Sequence, residues 1–122
     1  MPRKVLIADD DPAMRRLLTH ILSGMGLEVI AEDNGLAVLE TARRESPSLL
    51  ILDLMMPYLD GFGVLMRLYG EDPPTACPAI LLTAQDASDY KHIAKSLGAV
   101  LFIEKPFDVL ELQNSIREVL GE

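Results

Sequence analysis

Five short apolar runs constrain the fold of this chain more than any other feature: KVLIA (4–8), LEVIA (27–31), LLILD (49–53), AILLT (79–83) and VLFIE (100–104). Nearly continuous runs of this length read as strands buried on both faces. Between them the apolar period becomes helical. After the first run, Met14, Leu17, Leu18, Ile21, Leu22 and Met25 follow the i, i+3, i+4, i+7 rule, Pro12 suits a first helical turn, and Gly24 and Gly26 mark the stop. Further helices are expected after Asn34 and Gly35, after Gly61, after the region 85–88, and after Asp108. In the last, Asp108 and Glu111 resemble a capping box, and Val109, Leu112, Ile116, Val119 and Leu120 form a buried stripe. Strand and helix alternate five times, which predicts an α/β fold: a five-stranded parallel doubly wound sheet with right-handed crossovers and five helices on both faces.

The 122 residues suffice for one such sheet, so residues 1–122 are expected to form a single domain. Six aromatic residues and no Trp leave the core to Leu, Ile, Val, Met and Ala. The stretch EDPPTACP (71–78) reads as a Pro-rich connector between two elements.

In open parallel sheets, ligands bind beyond the carboxyl ends of the strands, near a topological switch point. Asp9 and Asp10 follow the first run, Asp53 ends the third, Thr83 ends the fourth, and Lys105 follows the fifth. The second contributes Glu32 and Asp33, read more simply as loop residues. Three converging carboxylates repel one another unless a cation joins them. Their small number suits Mg2+, which keeps several waters and shares its remaining positions with a phosphate. A hydroxyl from Thr83 and an ammonium from Lys105 suit phosphoryl oxygens. Asp53 is the candidate acceptor, because carboxylates form aspartyl phosphates, and Asp9 and Asp10 are the candidate metal holders. Asp11, before Pro12, reads as a helix cap.

The net charge of −8 argues against the phosphate-neutralising surface that nucleic-acid binding needs. A single cysteine, Cys77, asks for no oxidising compartment, and the basic start MPRK precedes an apolar run too short for a signal-peptide core. A cytoplasmic protein without direct nucleic-acid or membrane contact is expected.

ADDD, LDLMMPYLDGFGVL, LLTA and FIEKPF, in this order, resemble the receiver domain of two-component response regulators along essentially the whole chain. The steps between positions 10, 53, 83 and 105 are 43, 30 and 22 residues. The resemblance implies the flavodoxin-like strand order 2-1-3-4-5. It implies that Asp53 takes a phosphoryl group from a phosphohistidine on a sensor histidine kinase or histidine phosphotransfer protein. Asp10, Asp53 and the backbone carbonyl of Met55 would hold Mg2+, with Asp9 helping through water. Thr83 and the backbone N–H of Ala84 would hold phosphoryl oxygens, Lys105 would pair with another, and Phe102 matches the switch aromatic coupled to Thr83. A cis peptide between Lys105 and Pro106 is implied too, as is a switch in the face made by the fourth expected helix, the fifth strand and the last helix. The implied readout is an effector domain or downstream protein, with a phosphorylation-linked dimer as one form of it. Val100, Leu101 and Ser115 depart from the charged residues that receivers of winged-helix transcription factors use for pairing. Met55 and Gln85 fall where family members vary and tune dephosphorylation.

Simpler readings stand beside these. Asp9 to Asp11 also suit a capped helix with spare charge, and Phe102 a plain core residue. Gly61 after Asp60 reads as a turn needing positive φ, and Pro57 as a turn former. His20 and His92 read as solvated. Arg15 with Arg16, and Arg43 with Arg44, read as exposed helix faces, with a kinase contact as the alternative for the first pair. A phosphatase of the haloacid-dehalogenase type would need a second acid two residues after its nucleophile, where Met55 stands. A flavodoxin-like electron carrier would need a Ser/Thr-rich phosphate loop after the first strand. The chain contains no Gly-rich ATP loop, so it is read as a phosphoacceptor limited to its own phosphorylation and dephosphorylation, not an enzyme acting on other substrates. The remaining rival is a receiver-like interaction module independent of phosphorylation. The chain ends at EVLGE, which suits a complete regulator or a receiver from a longer chain equally.

Overall fold

The computed structural model describes residues 3–70, 77–83, 92, 95–96 and 99–121, with backbone only at 99–100. Its elements run β1 (Lys4–Ala8), α1 (Pro12–Gly24), β2 (Glu28–Glu32), α2 (Gly35–Glu45), β3 (Leu49–Asp53), α3 (Gly61–Tyr69), β4 (Ala79–Thr83), β5 (Ala99–Glu104) and α4 (Val109–Leu120). The start of the helix expected after the region 85–88 lies outside the described residues, so α4 here is the one expected after Asp108. Among the described residues there are therefore four helices with defined bounds, not five.

All strand pairs are parallel, in the order β2-β1-β3-β4-β5. The chain reverses its direction of winding between β1 and β3, so the switch point lies at their carboxyl ends. Each strand divides its side chains between two cores. Leu6, Leu50, Leu52 and Leu81 meet Val38, Leu39, Val64 and Leu65 of α2 and α3 on one face. Val5, Ile7, Ile51, Ile80 and Leu82 meet Leu18, Leu22, Leu112 and Ile116 of α1 and α4 on the other. Every residue of β3 and β4 is buried. Each buried Leu or Ile contributes about 1.5–3 kcal/mol relative to exposure, so the central strands form a stiff base for whatever follows them.

The helix starts are chemically specified. Asp11, Asn34, Asp60 and Asp108 each accept a backbone N–H through the side chain, from Ala13, Ala37, Gly63 and Glu111 respectively. These caps satisfy donors that have no partner inside the helix.

The boundaries differ slightly from the sequence reading. β2 begins at Glu28, because Leu27 belongs to the stop of α1: its N–H bonds to Leu22 O (3.2 Å), and that of Gly26 (φ 79°) to Ser23 O (3.0 Å). This is a Schellman stop. Leu17 and Val109, expected in the buried stripes, are exposed: Leu17 flanks the Leu18–Ile21–Leu22 seam, and Val109 opens α4 ahead of its first buried turn. β5 carries a bulge opposite the Ala79–Ile80 step, where Ala79 pairs with Ala99 but Ile80 with Leu101.

Candidate functional site

The carboxyl ends of β1 and β3 bring three carboxylates together. Asp9, Asp10 and Asp53 each offer an oxygen within 4.8 Å of the others, the first and last buried and Asp10 exposed. Asp9 extends the buried end of β1, with its N–H bonded to Glu32 O at 3.2 Å. Its Oδ1 accepts the Asp11 N–H at 2.9 Å, and its Oδ2 accepts from Lys105 Nζ at 2.8 Å. Asp53 Oδ1 accepts the Met55 N–H at 3.3 Å, while Oδ2 lies 3.6 Å from the same ammonium.

Burial and the neighbouring Asp9 charge push the Asp53 carboxyl up to about 6, against the lowering influence of Lys105 and the Met55 N–H. Burial works against the Lys105 ammonium, but its bond to Asp9 and the charges of Asp53 and Asp9 outweigh it, so its pKa lies above the ordinary value. One cation is thus shared among carboxylates that outnumber it. An all-oxygen donor set with surplus negative charge and one solvent-facing member suits a hard divalent ion such as Mg2+.

Thr83 ends β4 beside this cluster, its Cα register placing it opposite Glu104 and one step beyond the Asp53–Leu82 pair. Its Oγ1 is buried and, among the described residues, lacks a hydrogen-bond partner. An orphan hydroxyl of this kind costs about 1–3 kcal/mol unless a ligand satisfies it. The Thr83 carbonyl accepts the Lys105 N–H at 2.6 Å, which holds the start of the β5–α4 loop beside β4. The Lys105–Pro106 bond is cis, as the resemblance implies. Phe102 is half-buried and packs on the α2–α3 side of the sheet.

The loop after Asp53 is shaped by close approaches. Gly61 adopts no positive φ, contrary to the turn expected there; it is the first residue of α3. A Cβ at this position would stand 3.0 Å from Leu54 Cα and 3.1 Å from Asp53 O, so glycine is needed for proximity. The positive φ falls at Tyr58 (69°), between Pro57 O and the Leu59 N–H, which bond at 2.8 Å. Pro57 is therefore part of a turn, as expected. Met55 is 71% exposed beside the acid cluster.

Three further expectations are settled. Glu32 is more than a loop residue: it ends β2, and its carboxylate accepts a short hydrogen bond from the buried Thr41 hydroxyl. Arg15 is not simply solvated, since its guanidinium donates to Asp9 O at 2.8 Å; helical periodicity carries no signal for such a reach back to a strand end. Arg16, His20 and His92 are exposed, as read. Ala84 and Gln85 lie outside the described residues.

Fold and site together define a doubly wound α/β protein with an acidic, oxygen-rich pocket at its switch point. A family profile, the response regulator receiver domain, matches residues 5–117, and the chain belongs to that family. It is 44% identical over 118 residues, 96% of this chain and 48% of the other, to a protein of Porphyridium aerugineum named probable transcriptional regulator ycf27. It is 32% identical over 120 residues, 98% of this chain and 95% of the other, to sporulation initiation phosphotransferase F of Bacillus subtilis. Among solved structures, the BeF3-activated N-terminal receiver domain of Klebsiella pneumoniae RstA superposes with a TM-score of 0.89 at 28% identity, covering 98% of this chain and 99% of that one. The chain spans about half the length of the ycf27 proteins it matches.

Proposed function

We propose that this receiver domain accepts a phosphoryl group on Asp53 from a phosphohistidine of a sensor histidine kinase or histidine phosphotransfer protein, in the cytoplasm. The orphan hydroxyl of Thr83 carries this reading: a buried donor beside a carboxylate whose charge is incompletely compensated is what an incoming phosphoryl oxygen requires. An Asp53 oxygen forms the new P–O bond while the donor P–N bond breaks and its electron pair leaves with the imidazole. Asp10, Asp53 and the Met55 carbonyl would hold Mg2+, with Asp9 acting through water, and the bound ion supplies charge neutralisation for the carboxylates and the transferring group. Thr83 and the Ala84 N–H would take phosphoryl oxygens. Lys105, now on Asp9, would turn toward the phosphoryl group, and Phe102 would follow Thr83.

The signal would be a shift in population between two packings of β5, α4 and the helix expected before β5, read by an effector domain or downstream protein. On this reading the domain is a phosphoacceptor, not an enzyme acting on other substrates.

The test is intact-mass spectrometry after incubation with acetyl phosphate, with and without Mg2+, on the wild type and Asp53→Asn. A Mg2+-dependent gain of one phosphoryl group, lost in the variant, is expected. No gain from any phosphodonor, a partner phosphohistidine included, would instead favour an interaction module independent of phosphorylation.

A further inference from the structure

Asp10 is the exposed member of the acid cluster, and no hydrogen bond among the described residues holds it directly. Its direction is set by its two neighbours. Asp9 is immobilised on all sides, through Glu32 O, the Asp11 N–H and Lys105, and its own carbonyl is taken by the Arg15 guanidinium at 2.8 Å. Asp11 caps α1, and its carbonyl accepts the backbone N–H of Arg15 at 3.0 Å. Arg15 therefore clamps one of the two peptides that flank Asp10, Asp9–Asp10, through its side chain, while the other, Asp10–Asp11, is held by the Asp11 N–H on Asp9 Oδ1.

The side-chain bond answers a local need. The Asp9 carbonyl lies just past β1, where the ladder to β3 has ended at Ala8–Leu52, and a buried carbonyl needs a donor. Arg15 supplies it from within α1. The peptide between Asp9 and Asp10 is thereby fixed, and with it the bearing of the Asp10 Cβ.

We infer that Arg15 is a positioning residue for the cation site: its bond to the Asp9 carbonyl preorganises Asp10 for a divalent metal. The inference rests on reading Asp9, Asp10 and Asp53 as that site. It makes a counter-intuitive demand. A guanidinium near a cation site repels Mg2+, so a role through charge alone means that removing Arg15 tightens binding. A role through positioning means that removal weakens it, as loss of an outer partner does at other metal sites.

The experiment is calorimetric titration of the whole chain with MgCl2, well below the unfolding temperature, for the wild type, Arg15→Met, Arg15→Lys and Arg16→Met. Arg15→Met keeps much of the apolar stem but no donor, and is expected to weaken Mg2+ binding about tenfold. Arg15→Lys, which retains a donor, recovers most of that loss, and Arg16→Met, at the exposed neighbour, binds as the wild type does. Amide spectra of the metal-free variants should change in the 9–15 segment while those of β3 and β4 persist. If Arg15→Met fails to fold, Arg15→Leu, which also lacks a donor, takes its place. Unchanged or tighter binding without the Arg15 donor overturns the inference, as does equal weakening in Arg16→Met. A wild-type chain that binds no Mg2+ overturns the metal reading itself, and this inference with it.

Discussion

Lys105 Nζ lies 2.8 Å from Asp9 Oδ2, and this bond joins the start of the β5–α4 loop to the buried end of β1. The same ammonium stands 3.6 Å from Asp53. Among the described residues it is the ammonium paired with this cluster, so it holds the place that a divalent ion and a phosphoryl group would contest.

Removing that ammonium leaves Asp9 buried and unpaired. Lys105→Met is therefore expected to destabilise the protein in chelator by roughly 2–4 kcal/mol, measured by urea unfolding. Mg2+ should restore much of the loss and bind at least as tightly as to the wild type, because a competing cation is gone. Equal stability of variant and wild type in chelator would contradict the role assigned to the pair.

Asp53 carries the opposite imbalance. Burial and the Asp9 charge push its folded carboxyl up to about 6 from an ordinary 3.8. Between these values the unfolded chain has lost the proton that the folded chain keeps, so stability falls as pH rises through this window and the penalty is complete above it. Asp53→Asn should thus be more stable than the wild type in chelator at neutral pH, by on the order of 1–2 kcal/mol after allowing for solvent screening. The advantage should vanish as pH drops below 3.8. Mg2+ competes with the proton for the same oxygens, so it should raise the wild-type Tm at neutral pH and much less at mildly acidic pH. Thermal scans across pH, with and without the metal, check both statements.

The sequence made the sheet legible because β3 and β4 are buried on both faces, and only continuous apolar runs meet that demand. The site was legible for a related reason: the strand ends of a parallel sheet are fixed points, so Asp9, Asp10, Asp53, Thr83 and Lys105 could be placed together from the ends of the runs. What was not legible depends on contacts between elements. Gly61 after Asp60 has the pattern of a turn, yet its neighbour is Leu54 Cα. Arg15 lies on a half-buried helix face that periodicity reads as solvated, and Glu32 gains its partner only when α2 packs across β2.

Tyr58 stands at φ 69°, a conformation that costs an L-residue roughly 1–2 kcal/mol, and the residue is 83% exposed. Little packing repays that strain. Tyr58→Gly should stabilise the protein by about 0.5–1 kcal/mol once the extra freedom of glycine in the unfolded chain is counted. A loss of stability in urea unfolding would show that the ring makes a contribution its exposure conceals.

Gly61 and Gly24 give a paired test of what glycine is for in this chain. At Gly24, in the last turn of α1, a Cβ would meet nothing within 4 Å. Gly24→Ala should stabilise the fold by about 0.5–1 kcal/mol, because alanine restricts the unfolded chain and favours the helix. At Gly61 the added carbon would press on Leu54 Cα and Asp53 O, backbone atoms that cannot swing aside as a side chain would. Gly61→Ala should cost about 1–3 kcal/mol and displace the peptide that follows Asp53. Phosphoryl uptake at Asp53 should slow by more than the loss of folded protein explains, measured as initial rates well below the unfolding temperature. If Gly61→Ala proves as benign as Gly24→Ala, the close approach does not constrain the loop.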